Sequence, residues 1–184
     1  MRDLSLHILD LAQNSVRANA ALVEIMVSVD ESRLITITIR DDGSGMSDEL
    51  KERVTSPFAT TRTTRKVGLG IPLMMQNARL AGGDVRIDST LGQGTTLTAT
   101  LHGDSIDCLP LGDLAGTVVS LVSANPERPE FRLTSTSPKG SMDFDTREMR
   151  QALGKVPLNE PEITAWMLSA IQEEIEPIFG GVIL

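Results

Sequence analysis

Two stretches near the N-terminus, "LVEIMVSV" from residue 22 and "RLITITIR" from residue 33, constrain the fold more than any other feature, because each alternates apolar and polar residues with a period of two. Val23, Ile25, Val27 and Val29 fall on one face of the first stretch, and Ile35, Ile37 and Ile39 on one face of the second. With the turn "DESR" between them, the pair reads as a β-hairpin with a single apolar face. That face has to be covered, and helical patterns on either side of the hairpin supply the cover.

The first of these patterns, "LSLHILDLAQNSVRANA", places Leu4, Ile8, Leu11 and Ser15 within about 60° of one another at the helical repeat. His7, Asp10, Asn14 and Arg17 form a second, polar line at spacings of three and four, so an acid, an amide and a guanidinium point the same way. After the hairpin, "DDGSGM" at 41–46 has the composition of a tight turn, but no second strand follows. "SDELKERV" comes next, a short helix with Ser47 as N-cap and Leu50 and Val54 one turn apart.

"SPFATTRTTRKVGLG" reads as a loop with basic character from Arg62, Arg65 and Lys66. "IPLMMQNARLAGG" is then a helix with Pro72 near its start, Leu73, Met74, Ala78 and Ala81 on its buried side, and Gly82 and Gly83 as its stop. "DVRIDS", the turn "LGQG" and "TTLTATL" make a second hairpin. Helix, hairpin, helix, loop, helix, hairpin is the order of an α/β chain, a two-layer α/β sandwich on a mixed or antiparallel sheet.

The Gly, Pro and Asp-rich stretch "HGDSIDCLPLGD" is the candidate linker, dividing a domain at 1–103 from a small α+β extension at 104–184. Within the extension, "TVVSLVS" and "EFRLTST" are expected as strands. "DTREMRQAL" and "NEPEITAWMLSAIQEEIE" are expected as helices, with capping boxes from Asp145 with Glu148 and from Asn159 with Glu162. Trp166 and Met167 are expected to pack.

Charge divides along the same boundary. The net charge is −8; the first 103 residues hold eleven Lys and Arg against twelve Asp and Glu, and the remainder six against thirteen. Such a balance argues against binding to a phosphate backbone, so no nucleic-acid partner is expected. The acidic second half reads as a solvated surface or as a docking face for a basic partner. No apolar run approaches the length that spans a bilayer, and no leader pattern follows Met1, so no membrane partner and a cytoplasmic location are expected. Cys108 is the only cysteine, which excludes an internal disulfide and a cysteine metal cluster.

Three glycine-containing loops, at 41–46, 66–70 and 92–96, each end a regular element. Glycine lets backbone approach a ligand closely, and a helix N-terminus adds partial positive charge, which suits phosphate. "GLGIPL" stands at such a helix start, but neither the P-loop pattern nor the Rossmann fingerprint is present.

Together, "DLAQNSVRA", "DDGSGM", "SPFATTR", "GLGIPL" and "GQGTT" resemble, in order and rough spacing, the N, G1, F, G2 and G3 boxes of the superfamily shared by gyrase B, MutL and the histidine kinases. The resemblance covers residues 4–101. The N and G1 boxes are most similar to MutL, the later ones to a histidine-kinase catalytic domain or a related anti-sigma kinase.

What the resemblance implies is a site for ATP and Mg²⁺ between a helical layer and a sheet, under a lid. Asn14 would ligate the metal, and Arg17 takes the place of a Lys that reaches the phosphates in the kinases. Asp41 would accept the adenine amino group, with Gly43, Gly45 and Met46 beside the base. A buried carboxylate facing guanine's carbonyl oxygen instead would leave an unpaired acceptor costing about 1–3 kcal/mol, which favours ATP over GTP by tens of times. Phe58, Thr60, Thr61 and Arg62 match the F box, Gly68, Leu69 and Gly70 the phosphate loop, and Thr96 the G3 residue near the phosphates.

Asp10 stands four residues before Asn14, where the superfamily's ATPases and serine-phosphorylating kinases carry the acid that polarises the attacking water or hydroxyl. Lys66 stands where the kinases commonly show the first Gly of their loop. No phosphoacceptor helix precedes the N box, and His7 and His102 read as structural. The expected activity is therefore phosphorylation of a His or Ser on a partner protein in trans. The alternatives are a MutL-like switch with slow ATP hydrolysis, in which the acidic half dimerises or binds a partner, and a nucleotide sensor without turnover.

Overall fold

A computed structural model describes residues 2–55 and 69–180. Its centre is the expected hairpin: strands β1 (Leu22–Val29) and β2 (Leu34–Asp41) pair antiparallel with Ile25 opposite Ile39 and Val27 opposite Ile37. The alternation works as predicted, since Val23, Ile25, Val27, Ile35, Ile37 and Ile39 are all buried while the intervening residues are half-buried. β3 (Val85–Thr90) and β4 (Gly94–His102) form the second hairpin, and β4 docks antiparallel on β2.

The extension continues the same sheet. β5 (Glu130–Ser137) pairs in parallel with β1, and β6 (Gly140–Asp145) pairs antiparallel with β5, which gives the order β3-β4-β2-β1-β5-β6 and a mixed sheet. Helices α1 (Leu4–Arg17), α3 (Gly70–Leu80), α4 (Leu114–Ala124) and α6 (Pro161–Phe179) pack on its apolar face. The remaining two are α2 (Asp48–Thr55), after the first glycine loop, and α5 (Thr146–Leu153), after β6. Buried side chains from both halves form one cluster, from Leu4 and Ile8 of α1 to Met167 and Phe179 of α6. Among the described residues no helix is long and apolar enough to cross a membrane.

The hydroxyl-rich opposite face of the sheet carries a row of alternating charge: Arg40, Glu24 and Arg132 face one another across β2, β1 and β5. Glu24 lies 3.8 Å from Arg40 and 3.7 Å from Arg132.

Three expectations in the extension need correction. "TVVSLVS" lies in helix α4, not in a strand. Its Val-rich composition suits a strand, but Leu114, Ala115, Val118, Leu121 and Val122 fall at helical spacing and are all buried. The Asp113 carboxylate caps this helix by accepting the Gly116 N–H at 2.8 Å. At the last helix, Asn159 is not the cap: α6 begins at Pro161 after Glu160, with no side-chain cap bond, because a proline at the first helical position needs none for its own nitrogen. Met167 is fully buried as expected, whereas Trp166 next to it is 59% exposed and packs least of the large apolar residues in that helix. The Asp145 cap of α5 holds, its carboxylate accepting from Arg147 N–H at 2.9 Å.

The glycine and proline-rich stretch after β4 runs back to the start of α1. There the Pro110 and Leu111 carbonyls accept the Leu4 and Ser5 N–H groups at 2.9 and 2.8 Å, and Ser5 Oγ also donates to Leu111. The first helical turn has orphan donors to satisfy, and this stretch satisfies two of them.

Candidate functional site

At the end of β2 the chain leaves the sheet at Asp41, opposite Thr95 of β4 and beneath the last turns of α1. A pocket of about 250 Å³ opens there between α1, the glycine loop, α2 and the sheet. Its walls are mostly apolar, with Leu11, Ile39, Val54, Ile71 and Leu97 among them. Polar groups converge from three sides: Asn14, Ser15 and Arg17 from α1, Asp41 from β2, and Thr95 from β4. An apolar cleft with a few aimed polar groups is the form of a small-molecule site.

Asp41 is the best-fixed polar group in the pocket. Ser15 Oγ donates to its Oδ2 at 2.6 Å, and the Gly43 N–H donates to Oδ1 at 2.9 Å. Each oxygen of an ionised carboxylate can accept more than one hydrogen bond, so Asp41 keeps capacity for a donor in the pocket. That chemistry fits an exocyclic amine such as adenine's.

The loop after Asp41 is held in a shape that glycine allows. Gly45 has φ of +64°, and a Cβ there would fall 2.0 Å from the Thr90 carbonyl oxygen, so its tight approach to β3 excludes any side chain. Met46 N–H donates to Ser89 Oγ at 2.8 Å, and Ser89 Oγ lies 2.8 Å from Thr95 Oγ1, tying the glycine loop to both strands of the second hairpin. Asp42 points away from the pocket and closes the α1–β1 connection, accepting from Ala21 and Leu22 N–H at 2.7 and 3.0 Å. Burial raises its pKa, but these backbone bonds together outweigh that effect and hold it below the usual carboxylate value.

Asn14 is half-buried, its Oδ1 accepting from Arg17 at 3.2 Å, and Arg17 is exposed at the pocket mouth. One turn earlier, the exposed Asp10 lies against the N-terminus of α3: a Cβ on Gly70 would stand 3.1 Å from Asp10 Cβ and 3.6 Å from its Oδ2. Among the described residues no side chain caps that helix start, and Leu69 before it is exposed; a helix N-terminus carries N–H groups and partial positive charge suited to an anion. The Asn14 amide lines the pocket, and one helical turn away the Asp10 carboxylate meets the start of α3 beside it. Hard oxygen donors in this number suit Mg²⁺, which takes one or two protein ligands and completes its shell with phosphate and water.

Thr95, not Thr96, lines the pocket: successive strand residues face opposite ways, and Thr96 lies opposite Arg40 on the other face. Thr95 could have been found by parity, since it shares a face with Leu97 and Ala99. Ser15 was visible only as a hydroxyl on an apolar stripe, a signal for a buried hydrogen bond without a named partner. Phe58, Thr60, Thr61, Arg62, Lys66 and Gly68 lie outside the described residues.

His7, on the same polar line, turns out to be fully buried between α1 and α3. Its Nε2 lies 2.7 Å from Asn77 Nδ2, and its Nδ1 is buried with no hydrogen-bond partner among the described residues. Burial holds the ring below the usual histidine pKa, with Asp10 and Asp3 opposing the shift.

A mixed sheet under one helical layer, with an acid-floored pocket at the end of its central hairpin and a helix N-terminus beside it, has the form of a nucleotide-binding sandwich. A family model described as histidine kinase-, DNA gyrase B- and HSP90-like ATPases matches residues 2–105, more than half of the chain, and the chain belongs to that family. Residues 2–105 match the family's ATP-binding domain.

A sensor-like histidine kinase of Rhizobium meliloti is 33% identical over 88 residues, 44% of this chain and 17% of that protein. The sensor histidine kinase WalK of Bacillus subtilis is 30% identical over 100 residues, 50% of this chain and 16% of that protein. The chain therefore spans less than a fifth of either relative. A histidine kinase domain from Erythrobacter litoralis aligns with a TM-score of 0.37 at 17% identity, over 50% of this chain and 40% of that one.

Proposed function

We propose that this chain uses Mg-ATP to phosphorylate a histidine or serine of a cytoplasmic partner protein. The observation that carries this reading is the meeting of Asp10 with the start of α3 at Gly70, one helical turn from Asn14. In it, Asp41 selects adenine, Asn14 holds the metal, Arg17 and the α3 N-terminus receive the phosphates, and Asp10 accepts the proton of the attacking hydroxyl. Transfer to another molecule fits the placement of the chain's two histidines. His7 is fully buried, and His102 lies seven residues along the β2–β4 ladder from the Asp41 end, about 24 Å at the usual rise per strand residue.

The test is incubation of the purified chain with γ-labelled ATP, Mg²⁺ and a protein extract of its source cells, alongside Asp10→Asn and Asp41→Asn. Label on a specific protein with wild type and on none with either variant supports the reading. ADP released at the same rate with and without extract, with no protein labelled, would sink it in favour of the switch.

One contact favours that second reading, a slow ATP-gated switch. The Asn77–His7 bond couples the helix that starts at the phosphate loop to α1, and α1 packs on α4, so a shift of α3 has a path to the acidic half.

A further inference from the structure

A second groove lies far along the sheet from the nucleotide pocket, between β6, α5 and α6, with a volume of about 330 Å³. Its floor is apolar: Met142, Met149 and Ile171 are buried and Phe144 is half-buried. Trp166, the only tryptophan, stands at its edge 59% exposed, on the same helical line as Ala170 and Glu174.

Four carboxylates border the groove, and they divide into two kinds. Asp143 is paired with Arg132 at 2.5 Å and Asp145 with Arg147 at 2.5 Å. Glu148 and Glu174 are exposed and have no ion pair among the described residues. We propose that this groove docks a protein segment presenting an apolar side chain flanked by arginine or lysine.

The apolar anchor would occupy the floor, as buried anchors do at the centre of protein interfaces. A flanking guanidinium or ammonium would lie over the Trp166 indole, whose π face attracts cations, and within reach of Glu148 and Glu174. The alternatives fit the charge less well. A second copy of the chain would bring the same unpaired glutamates together, and an anionic membrane surface would be repelled by them. The proposal is independent of the nucleotide reading.

Trp166 provides the readout. The immobilised full chain would select from a random dodecapeptide library, and the enriched peptides would be titrated while tryptophan emission is followed. The expected result is a consensus of Arg or Lys beside a large apolar residue, with a saturable emission change. In Glu148→Gln/Glu174→Gln, affinity falls at least tenfold and its dependence on salt flattens, with thermal unfolding unchanged; Asp41→Asn binds the peptide as wild type does. An acidic or uncharged consensus, no enrichment, or equal affinity in the double variant would overturn the proposal. So would concentration-dependent self-association in sedimentation that Trp166→Ala abolishes, because the groove would then belong to a second copy.

Discussion

Ser15 Oγ donates a 2.6 Å hydrogen bond to Asp41 Oδ2, so the helix that carries the N-box polar line also fixes the carboxylate at the base of the pocket. The bond orients the Asp41 carboxylate, whose oxygens can each accept a further hydrogen bond. Removing the hydroxyl leaves one partner of a charge-assisted bond unmet, worth about 1.5–3 kcal/mol. Ser15→Ala should therefore weaken ATP binding by roughly ten to a hundredfold. Asp41→Asn should lose ATP affinity further and also lose preference over GTP. Calorimetric titration with both nucleotides checks the pair, and unchanged ATP affinity in Ser15→Ala would refute the coupling.

Thr95 and Thr96 make an internal control. Thr95→Val should weaken ATP binding several-fold, because its hydroxyl lines the pocket and meets Ser89. Thr96→Val, on the other sheet face opposite Arg40, should bind as wild type does. Equal losses in the two variants would mean that the G3 strand is held differently when nucleotide is bound.

Asp10→Asn keeps the size and the contact with Gly70 but removes the base. If Asp10 accepts the proton, phosphoryl transfer or hydrolysis should fall by about 10²–10⁴-fold, with ATP affinity nearly unchanged. Parallel measurement of turnover and of nucleotide affinity separates this from a loss of metal binding, which would weaken both.

His7 should make stability depend on pH. Its folded pKa is depressed chiefly by burial, so the neutral ring is the form that the fold accommodates. Its stabilising contribution is present above the usual histidine value of 6.5 and is lost as pH falls through the lower folded value. Wild type should lose thermal stability more steeply than His7→Gln as pH falls below 6.5. Glutamine keeps an acceptor for Asn77 and cannot titrate. Parallel pH curves for the two proteins would remove His7 as the cause.

The parts of the fold that could be read from sequence were those in which one period dominates. Val23 to Val29 and Ile35 to Ile39 alternate without interruption, and the strands follow. At 117–123 two patterns compete, since the valines suit a strand locally, and the deciding residues, Asp113 and Leu114, lie just outside that window. Asn14, Arg17 and Asp41 line one pocket, and the order of the boxes is what linked them in the sequence; Asp10 stands one turn away, beside Gly70. His7 shares their helical line and reads as structural, but the partner that buries it, Asn77 of α3, lies 70 residues along the chain, and spacing within α1 does not reveal it. Trp166 failed in the opposite sense: its composition suggests core, and only the open groove beside it explains its exposure.

The parallel pairing of β1 with β5 sets a schedule for folding. Leu22 meets Glu130, 108 residues later, whereas β1 and β2 close through a short turn. Contacts of such long range form late and slowly. During synthesis, one side of β1 is a bare strand edge until residue 137 has emerged, and exposed edges invite pairing with other chains. A ribosome that stalls before β5 leaves a four-stranded sheet ending in β1 as a bare edge, so the yield of folded chain should depend on steady elongation through residue 137.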